Sequence, residues 1–456
     1  MEDDIITLLH QNGVTHFVEE IFSYLDYGDT KSAVQVSRNW RHILANSRVW
    51  KNLWDRNIAN LPAWNSLYKR AVFLQTFPEW NHQEACRVVG DADQKLQRNV
   101  KQGRYTEKVD NESKSFLCEI SSSKVVTAGN SNQIHVQNRW RLNEEATSFD
   151  IANGSHRIYQ LEINEPYLVS AAYESYPFPD NCSVVVFDLE KAEKIHEFTI
   201  QGRMDNMWLA SAIVKCNCQV LMTCCYYENH FGEGSYATLL TARQMPCSAH
   251  LETDFPVIDE LNIRGLLLEG PMFLEDQRIV ILAKYWIGAF ILSIKPLRII
   301  RQYKGVDNLS NAIHWCRREK AEVNYWNGWL LQSNGHPDND YFPRIRIMNI
   351  DTDEPDMAIH IKHLGFDIVN KHLVILSEES HTFLKFGVWN MPQSSGSMYL
   401  LYSIHQLHQM GPEIKYYDWN IRFDGIQFWI CSYRQQDFIS SSHAMLTVRD
   451  YACGVN

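Results

Sequence analysis

Val184-Val185-Val186-Phe187-Asp188 is the stretch from which the fold is read. Three β-branched residues and an aromatic in succession, ended by a turn-favouring Asp, describe a strand covered on both faces. Before it lie two further apolar runs separated by a short polar turn at Asn164-Glu165, the signature of a hairpin. The same succession of hairpin, loop and third strand recurs along the chain. Hairpin turns are expected near Ser121-Ser122-Ser123, Asn164-Glu165, Cys216-Asn217, Glu275-Asp276, Arg317-Arg318-Glu319, Asn370-Lys371 and Asp424-Gly425. The third strands end near Asn138, Asp188, Thr241, Ser293, Asn349, Asn390 and Asp450, at intervals of 41 to 60 residues.

Self-similarity at that period predicts an all-β propeller, in which each four-stranded blade buries its faces against its neighbours. Rings of six, seven or eight blades fit such weak marks, and seven repeats favour seven. The last repeat offers strands around Tyr416 to Ile421, Ile426 to Cys431 and Ala444 to Tyr451, leaving one edge to be covered. The segment Tyr105 to Asn111, just before the first repeat, is the natural donor of the missing strand.

The first hundred residues follow a different period. Phe17, Val18, Ile21, Phe22 and Leu25 recur at three and four, one face of an amphipathic helix. Tyr27-Gly28-Asp29 breaks that pattern, and Asp29 is expected to cap a helix starting at Thr30. Ala33, Val34 and Val36 give a second apolar face and Trp40, Ile43 and Leu44 a third. Ser47 caps a fourth segment with Val49, Trp50, Leu53 and Trp54. So small a core needs a partner or a neighbouring domain.

Glu20-Ile21-Phe22-Ser23-Tyr24-Leu25-Asp26, Val36-Ser37-Arg38-Asn39-Trp40-Arg41 and Val49-Trp50-Lys51-Asn52-Leu53 together resemble the F-box, in order and spacing, over roughly Gly13 to Arg56. One departure stands out: Gly13-Val14 replaces the Leu-Pro that opens the motif. The resemblance implies that Val14, Val18, Ile21, Leu25, Val36, Trp40 and Trp50 lie in or under a surface that binds the Skp adaptor of a cullin-based ligase. The same residues also serve as the F-box's own core. The repeat region resembles WD-repeat propellers in layout, with Phe187-Asp188 in the place of the Trp-Asp dipeptide, although the Gly-His that opens a blade is missing.

The expected fold class is therefore multidomain: a small all-α F-box with a helical linker, followed by an all-β, seven-bladed WD-repeat-like propeller. The expected boundaries are 1–12 for an N-terminal extension, 13–57 for the F-box, 58–104 for the linker and 105–456 for the propeller. In the linker, Trp64, Leu67, Tyr68, Ala71, Val72 and Leu74 form one helix that Pro78 ends or kinks, and Gln83 to Val89 and Asp93 to Val100 form two more. Arg98-Asn99-Val100-Lys101-Gln102-Gly103 resembles the Asn-Trp-x-x-Gly element that joins F-box to propeller in F-box/WD-repeat proteins, with Val100 in the Trp position. A packed connector of this kind holds a substrate at a set distance from the adaptor.

Loops between second and third strands share one face of such a propeller, and those at Tyr173–Asn181, Tyr226–Tyr236, Gln332–Arg344 and Ser432–Ser442 are long and aromatic. Tyr176, Phe178, Tyr226, Tyr227, His230, Phe231, Tyr341, Phe342, Tyr433 and Phe438 are the candidate substrate contacts. The bland alternative is that about half fold back onto their own loops. The same loops carry many carboxylates and few arginines, which favours an unmodified apolar or basic protein surface over a phosphorylated one. Convergence of Arg157, Arg203, Arg243, Arg264, Arg344 and Arg346 would reverse that expectation.

A net charge of -11 disfavours nucleic acid and anionic membrane as main partners. An acidic first segment without a long apolar core does not read as a signal peptide, so a cytoplasmic or nuclear location is expected. The eleven cysteines lack paired metal-ligand spacing and read as buried apolar groups. No nucleophile elbow, phosphate-cradling loop or His-Glu-x-x-His helix is present, so the expectation is a non-catalytic receptor subunit without cofactor or metal. Its partners would be the Skp adaptor, through it a cullin, and a protein substrate. A scaffold that binds the adaptor without a cullin is the alternative.

Overall fold

The computed structural model describes the chain from Asp4 to Ala452 except for connecting stretches, chief among them 75–80, 174–180, 230–235, 246–254, 304–322, 335–343, 391–399, 408–416 and 435–443. In the last two sheets it describes chiefly the backbone.

The head begins one helix earlier than the F-box motif. Asp4 accepts the Thr7 N–H at 2.9 Å and so caps α1 (Ile5–Gln11). α2 (Thr15–Ser23) follows after a tight reversal at Gly13, whose φ is 76°. α3 (Tyr27–Val36) starts earlier than the sequence reading held: Asp26, not Asp29, is the cap, accepting the Asp29 N–H at 2.8 Å. Asp29 then sits in the first turn, where a carboxylate favours the helix dipole. Ser37 caps α4 (Arg38–Asn46) through the Trp40 N–H. α5 (Val49–Leu53) continues into a single wide turn at Trp54–Ile58, and α6 (Pro62–Leu74) leads to α7 (His82–Lys101).

The two helices expected between Gln83 and Val100 are one, a helix of 20 residues. Gly90 interrupts its apolar pattern without interrupting the helix, because the Tyr27 ring lies against it. A Cβ at Gly90 would stand 2.5 Å from Tyr27 Cδ1. No helix among the described residues is long and apolar enough to cross a membrane.

The remainder is an all-β propeller of seven antiparallel sheets. β1 (Thr106–Asp110) precedes sheet I, which contains β2 (Ser115–Ile120), β3 (Lys124–Gly129), β4 (Gln133–Asn138) and β5 (Thr147–Asp150). Sheet II contains β6 (Arg157–Asn164), β7 (Tyr167–Tyr173), β8 (Asn181–Asp188) and β9 (Glu193–Gln201). Sheet III adds a short β10 (Arg203–Met204) to β11 (Met207–Cys216), β12 (Val220–Glu228), β13 (Tyr236–Gln244) and β14 (Val257–Arg264). Sheet IV contains β15 (Met272–Leu274), β16 (Arg278–Leu282), β17 (Ala289–Ile294) and β18 (Leu297–Tyr303). Sheet V contains β19 (Val323–Trp326), β20 (Trp329–Asn334), β21 (Arg344–Asn349) and β22 (Met357–His360). Sheet VI contains β23 (His363–Val369), β24 (His372–Ser380), β25 (Phe383–Asn390) and β26 (Leu400–Leu407). Sheet VII contains β27 (Tyr417–Phe423), β28 (Gln427–Arg434) and β29 (Ala444–Asp450). Its fourth strand is β1, paired from Thr106 opposite Asp450 to Asp110 opposite Leu446. The chain's first strand thus covers the edge of its last sheet, which removes an open edge.

Each sheet packs on the next. Val126 and Phe149 of sheet I meet Leu168 and Phe187 of sheet II, and Val169 and Val186 on the other face meet Leu209 and Cys225 of sheet III. Met222 and Leu240 meet Phe290 and Leu292 of sheet IV, whose Val280 and Ile291 meet Leu330 and Met348 of sheet V. Trp329 and Ile345 face Leu373 and Ile375 of sheet VI, β23 contacts β27, and Val448 meets Cys118 and Val125 of sheet I. Second and third strands are therefore covered on both sides. That is why β8, the opening stretch, is buried from Cys182 through Asp188.

The turns explain the residues that end the third strands. Asn138, Asp188, Asn349 and Asp450 each use Oδ1 to accept the backbone N–H two residues on, from Trp140, Glu190, Asp351 and Ala452 respectively. A short carboxylate or amide that mimics a backbone acceptor suits this corner, and an Asn serves as well as an Asp. Sheet V differs from the reading above. Arg317–Glu319 lies outside the described residues, and the hairpin turns at Asn327-Gly328, with φ of 44° and 84°. That Asn-Gly pair is the common two-residue hairpin chemistry.

Candidate docking surfaces

The helical head has an apolar interior and an apolar outer strip. Val18 and Phe22 of α2 are buried with Ile43, Leu44, Val49 and Trp50, and each such side chain contributes roughly 1.5–3 kcal/mol to folding. The Phe22 and Trp40 rings meet edge to face at 5.3 Å, and the Trp40 indole N–H donates to Asp4 at 2.8 Å. The Thr7 N–H and this indole hold the Asp4 carboxyl below the usual carboxylate range.

The outer strip consists of Ile5 and Leu8 on α1, Phe17, Ile21 and Tyr24 on or just beyond α2, and Val36 at the end of α3, all exposed. Six large apolar groups at the surface of so small a unit mark a contact surface. Of the residues expected to serve the adaptor, Ile21 and Val36 belong to this strip, and Val14, Leu25 and Trp40 are half-buried. Val18 and Trp50 lie under the surface, within the core of the head. They are 0% and 4% exposed, because their spacing along α2 and α5 turns them inward. Phe17 and Tyr24 were missed, although their spacing about Ile21 places all three on one helical face.

The head is joined firmly to its connector. Arg56 donates to the Ser23 and Leu25 carbonyls at the end of α2, at 2.8 and 2.6 Å. The Tyr27 hydroxyl donates to Asp91 at 2.7 Å, and Lys31 pairs with the same carboxylate at 2.6 Å. Burial beside α6 pushes the Asp93 carboxyl up to about 6, against the opposing effect of hydrogen bonds from Trp64 and Gln97.

The connector meets the propeller at the end that carries the first-to-second and third-to-fourth strand turns. Arg70 donates two hydrogen bonds to Asp450, at 3.0 and 2.8 Å. Asp450 also accepts from the Gln427 amide, whose Oε1 accepts two bonds from Arg139. Arg139 donates in turn to the Ser121 carbonyl at 2.6 Å. This guanidinium is fully buried and its pKa falls to about 9 through desolvation, so it remains charged near neutral pH. Glu165 of the next hairpin accepts from the Ser121 and Ser123 hydroxyls and from the Ser123 N–H. The network spans sheets VII, I and II and the helix above them.

Because strands alternate in direction, second-to-third and fourth-to-first connections sit at the opposite end. Tyr176, Phe178, His230, Phe231, Tyr341, Phe342 and Phe438 lie outside the described residues. Tyr433 lies in β28, where only the backbone is described. Tyr226 and Tyr227 are corrections: both are 2% exposed, since β12 is covered by sheets II and IV. The Tyr227 hydroxyl donates to the Gln201 carbonyl at 3.0 Å and that of Tyr226 to Glu228 at 3.1 Å. Arg203 lies 3.5 Å over the Trp208 ring, and Arg264 pairs with Asp205. Arg243 lies toward the other end, bonded to the Phe255 carbonyl and stacked on Phe198.

Among the described residues no group of three His, Cys, Asp or Glu could hold a metal ion. Six cysteines among the described residues are buried, and desolvation raises the Cys182 thiol to about 11 and that of Cys224 to about 12, the mark of inert structural thiols.

Comparison with known proteins places this geometry. Residues 17–56 match the F-box-like family. Over 70 residues the chain is 34% identical to F-box and WD repeat domain-containing 11-A of Danio rerio, a match covering 15% of this chain and 12% of that protein. The Cps50 (Swd1) β-propeller domain of Myceliophteria thermophila is similar over 76% of this chain and 99% of its own, with 10% identity and a TM-score of 0.43. A chain of the mitotic checkpoint complex covers 74% of this chain and 93% of its own, with 11% identity and a TM-score of 0.45. The F-box-like match falls within the helical unit, and the seven sheets of the β-propeller follow it.

Proposed function

We propose that this chain is the substrate-recognition subunit of a Skp-cullin-F-box ubiquitin ligase, its F-box binding the Skp adaptor and its propeller holding the protein to be modified. The observation that carries this reading is the exposure of Phe17, Ile21, Tyr24 and Val36 within the F-box-like match. The seven sheets act as seven blades of one ring, closed by the pairing of β1 with β29. The Arg70–Asp450 joint leaves the opposite face for a substrate, with the loops that carry Tyr176 and Phe342 as its contacts. Recognition of an unmodified apolar or basic protein surface suits their composition. The subunit itself is non-catalytic and works in the cytoplasm or nucleus.

The test is co-purification from cells with the wild-type chain and with Ile21→Asp/Leu25→Asp. Recovery of adaptor and cullin with the wild type, lost in the variant while the propeller stays folded, supports the reading. Adaptor affinity unchanged in the variant sinks it. Adaptor without any cullin favours the scaffold reading, for which the Gly13-Val14 departure is the motive.

A further inference from the structure

The charge of this chain is unevenly distributed. It carries a net -11, yet the thirty residues 277–306 contain Arg278, Lys284, Lys295, Arg298, Arg301 and Lys304 and no Asp or Glu. These residues build β16, β17 and β18 of sheet IV. Arg278 is neutralised locally by Glu275 and Asp351, and Arg301 donates to the Asp351 carbonyl. Lys295 and Arg298 are exposed on or beside β18, the free outer strand of the sheet.

The same strand exposes aliphatic surface. Ile299 and Ile300 are 39% and 59% exposed. The register shift between Ile291 and Leu292 pairs Ile299 with Leu292 and Arg301 with Ile291, which leaves Ile300 unpaired in a bulge and turned out of the ladder. Three outer strands carry carboxylates at their edges: Glu193 and Glu197 on β9, Asp259 and Glu260 on β14, and Asp150 on β5. Strand β18, like β22 and β26, carries none, and it adds Arg298 and Arg301. Asp259 of the neighbouring β14 accepts the Leu297 N–H at 2.7 Å, which holds the start of β18 beside sheet III.

We propose that β18 is a lateral docking strip for an extended segment of a partner protein in which aliphatic and acidic side chains alternate. The exposed isoleucines bury the aliphatic groups, while Lys295 and Arg298 take the carboxylates. The bulge favours recognition through side chains over open-ended addition of strands. This surface lies on the rim of the propeller, separate from both the adaptor strip and the loop face, and does not depend on the ligase reading.

The probe is a labelled, end-blocked peptide of alternating glutamate and valine, titrated by fluorescence anisotropy against the full chain. A lysine-valine peptide and phosphatidylserine vesicles serve as comparisons. The expected result is saturable binding of the glutamate peptide that weakens with salt, falls at least about tenfold in Arg298→Glu/Ile300→Asp, and is unchanged in Ile21→Asp. Hydrogen-exchange protection should fall on 297–303. Equal binding by the lysine peptide, equal binding by the double variant, or no peptide binding overturns the proposal. Vesicle binding without peptide binding overturns it in favour of an anionic bilayer. Because both substituted side chains are exposed, unchanged thermal unfolding of the variant serves as the folding control.

Discussion

Arg70 of the connector helix and Asp450 at the end of the last strand form a two-pronged ion pair across 380 positions of sequence. Their side chains are only 17% and 19% exposed, so solvent screens the pair weakly. Asp450 is also the Asx residue of its corner and the acceptor for Gln427, so one carboxylate shapes the end of the last sheet and seats the connector helix on it.

Asp450→Ala is therefore expected to lower stability by roughly 2–4 kcal/mol, because it removes the carboxylate that pairs with Arg70 and accepts from Gln427 in a partly buried site. Hydrogen exchange should quicken in α6 and in β1 together. Urea unfolding and residue-resolved exchange check this, and acceleration confined to β1 would show that Arg70 does not seat the helix.

Gly90→Ala should destabilise the head by roughly 1–3 kcal/mol despite the better helix propensity of alanine, because its methyl would displace the Tyr27 ring. A Tyr27→Val background should recover much of that loss. Thermal unfolding of the two single variants and the double variant gives the coupling directly.

Asp93 predicts a pH dependence. Its folded pKa of about 6 lies above the 3.8 of an unperturbed aspartate, so the native state holds its proton more tightly than the unfolded chain. The stability gained from the protonated form is present at low pH and is lost as pH rises towards 6, by on the order of 2–3 kcal/mol. Asp93→Asn should remove this slope and be the more stable protein at pH 7.5. Urea midpoints of both proteins between pH 4.5 and 7.5 check it, and parallel curves would contradict it.

Ile21 and Trp50 should separate binding from folding. Ile21→Asp, at an exposed position, is expected to leave the circular dichroism and unfolding temperature nearly unchanged while adaptor affinity falls at least tenfold. Trp50→Ala should unfold the head, at a cost of roughly 3–5 kcal/mol. Calorimetry with purified adaptor, paired with thermal melts, distinguishes the two.

The local pattern carries most of the elements. Apolar spacing places α2, α4 and α6, and the polar breaks at Ser121, 164–165 and 216–217 fall at hairpin turns of the structure or directly beside them, whereas 370–371 and 424–425 lie outside the described residues. Gly90 reads as a break because a glycine in sequence carries no record of the ring that presses against it. The fifth hairpin is expected at Arg317-Arg318-Glu319, outside the described residues, whereas the hairpin of sheet V turns at Asn327-Gly328, because it requires positive φ at two successive residues.

The candidate site divides along the same line. Periodicity groups Ile21 with Val18 and Phe22 on one helical face, because 3.6 residues per turn is a local property, and packing of the head then buries those two and leaves Ile21 exposed. Whether Tyr226 and Tyr227 are contacts or core is not local: a strand alternates its side chains in the same way whether one face or both are covered. Sheets II and IV cover both faces of β12, and only the packing of successive sheets puts them there. The composition of Val184–Asp188 and the donor strand before the first repeat were determined by the sequence itself. The pairing of Arg70 with Asp450, the burial of Arg139 and the inward turn of the tyrosines were decided by the tertiary structure, since each depends on a neighbour from another element that only packing brings alongside.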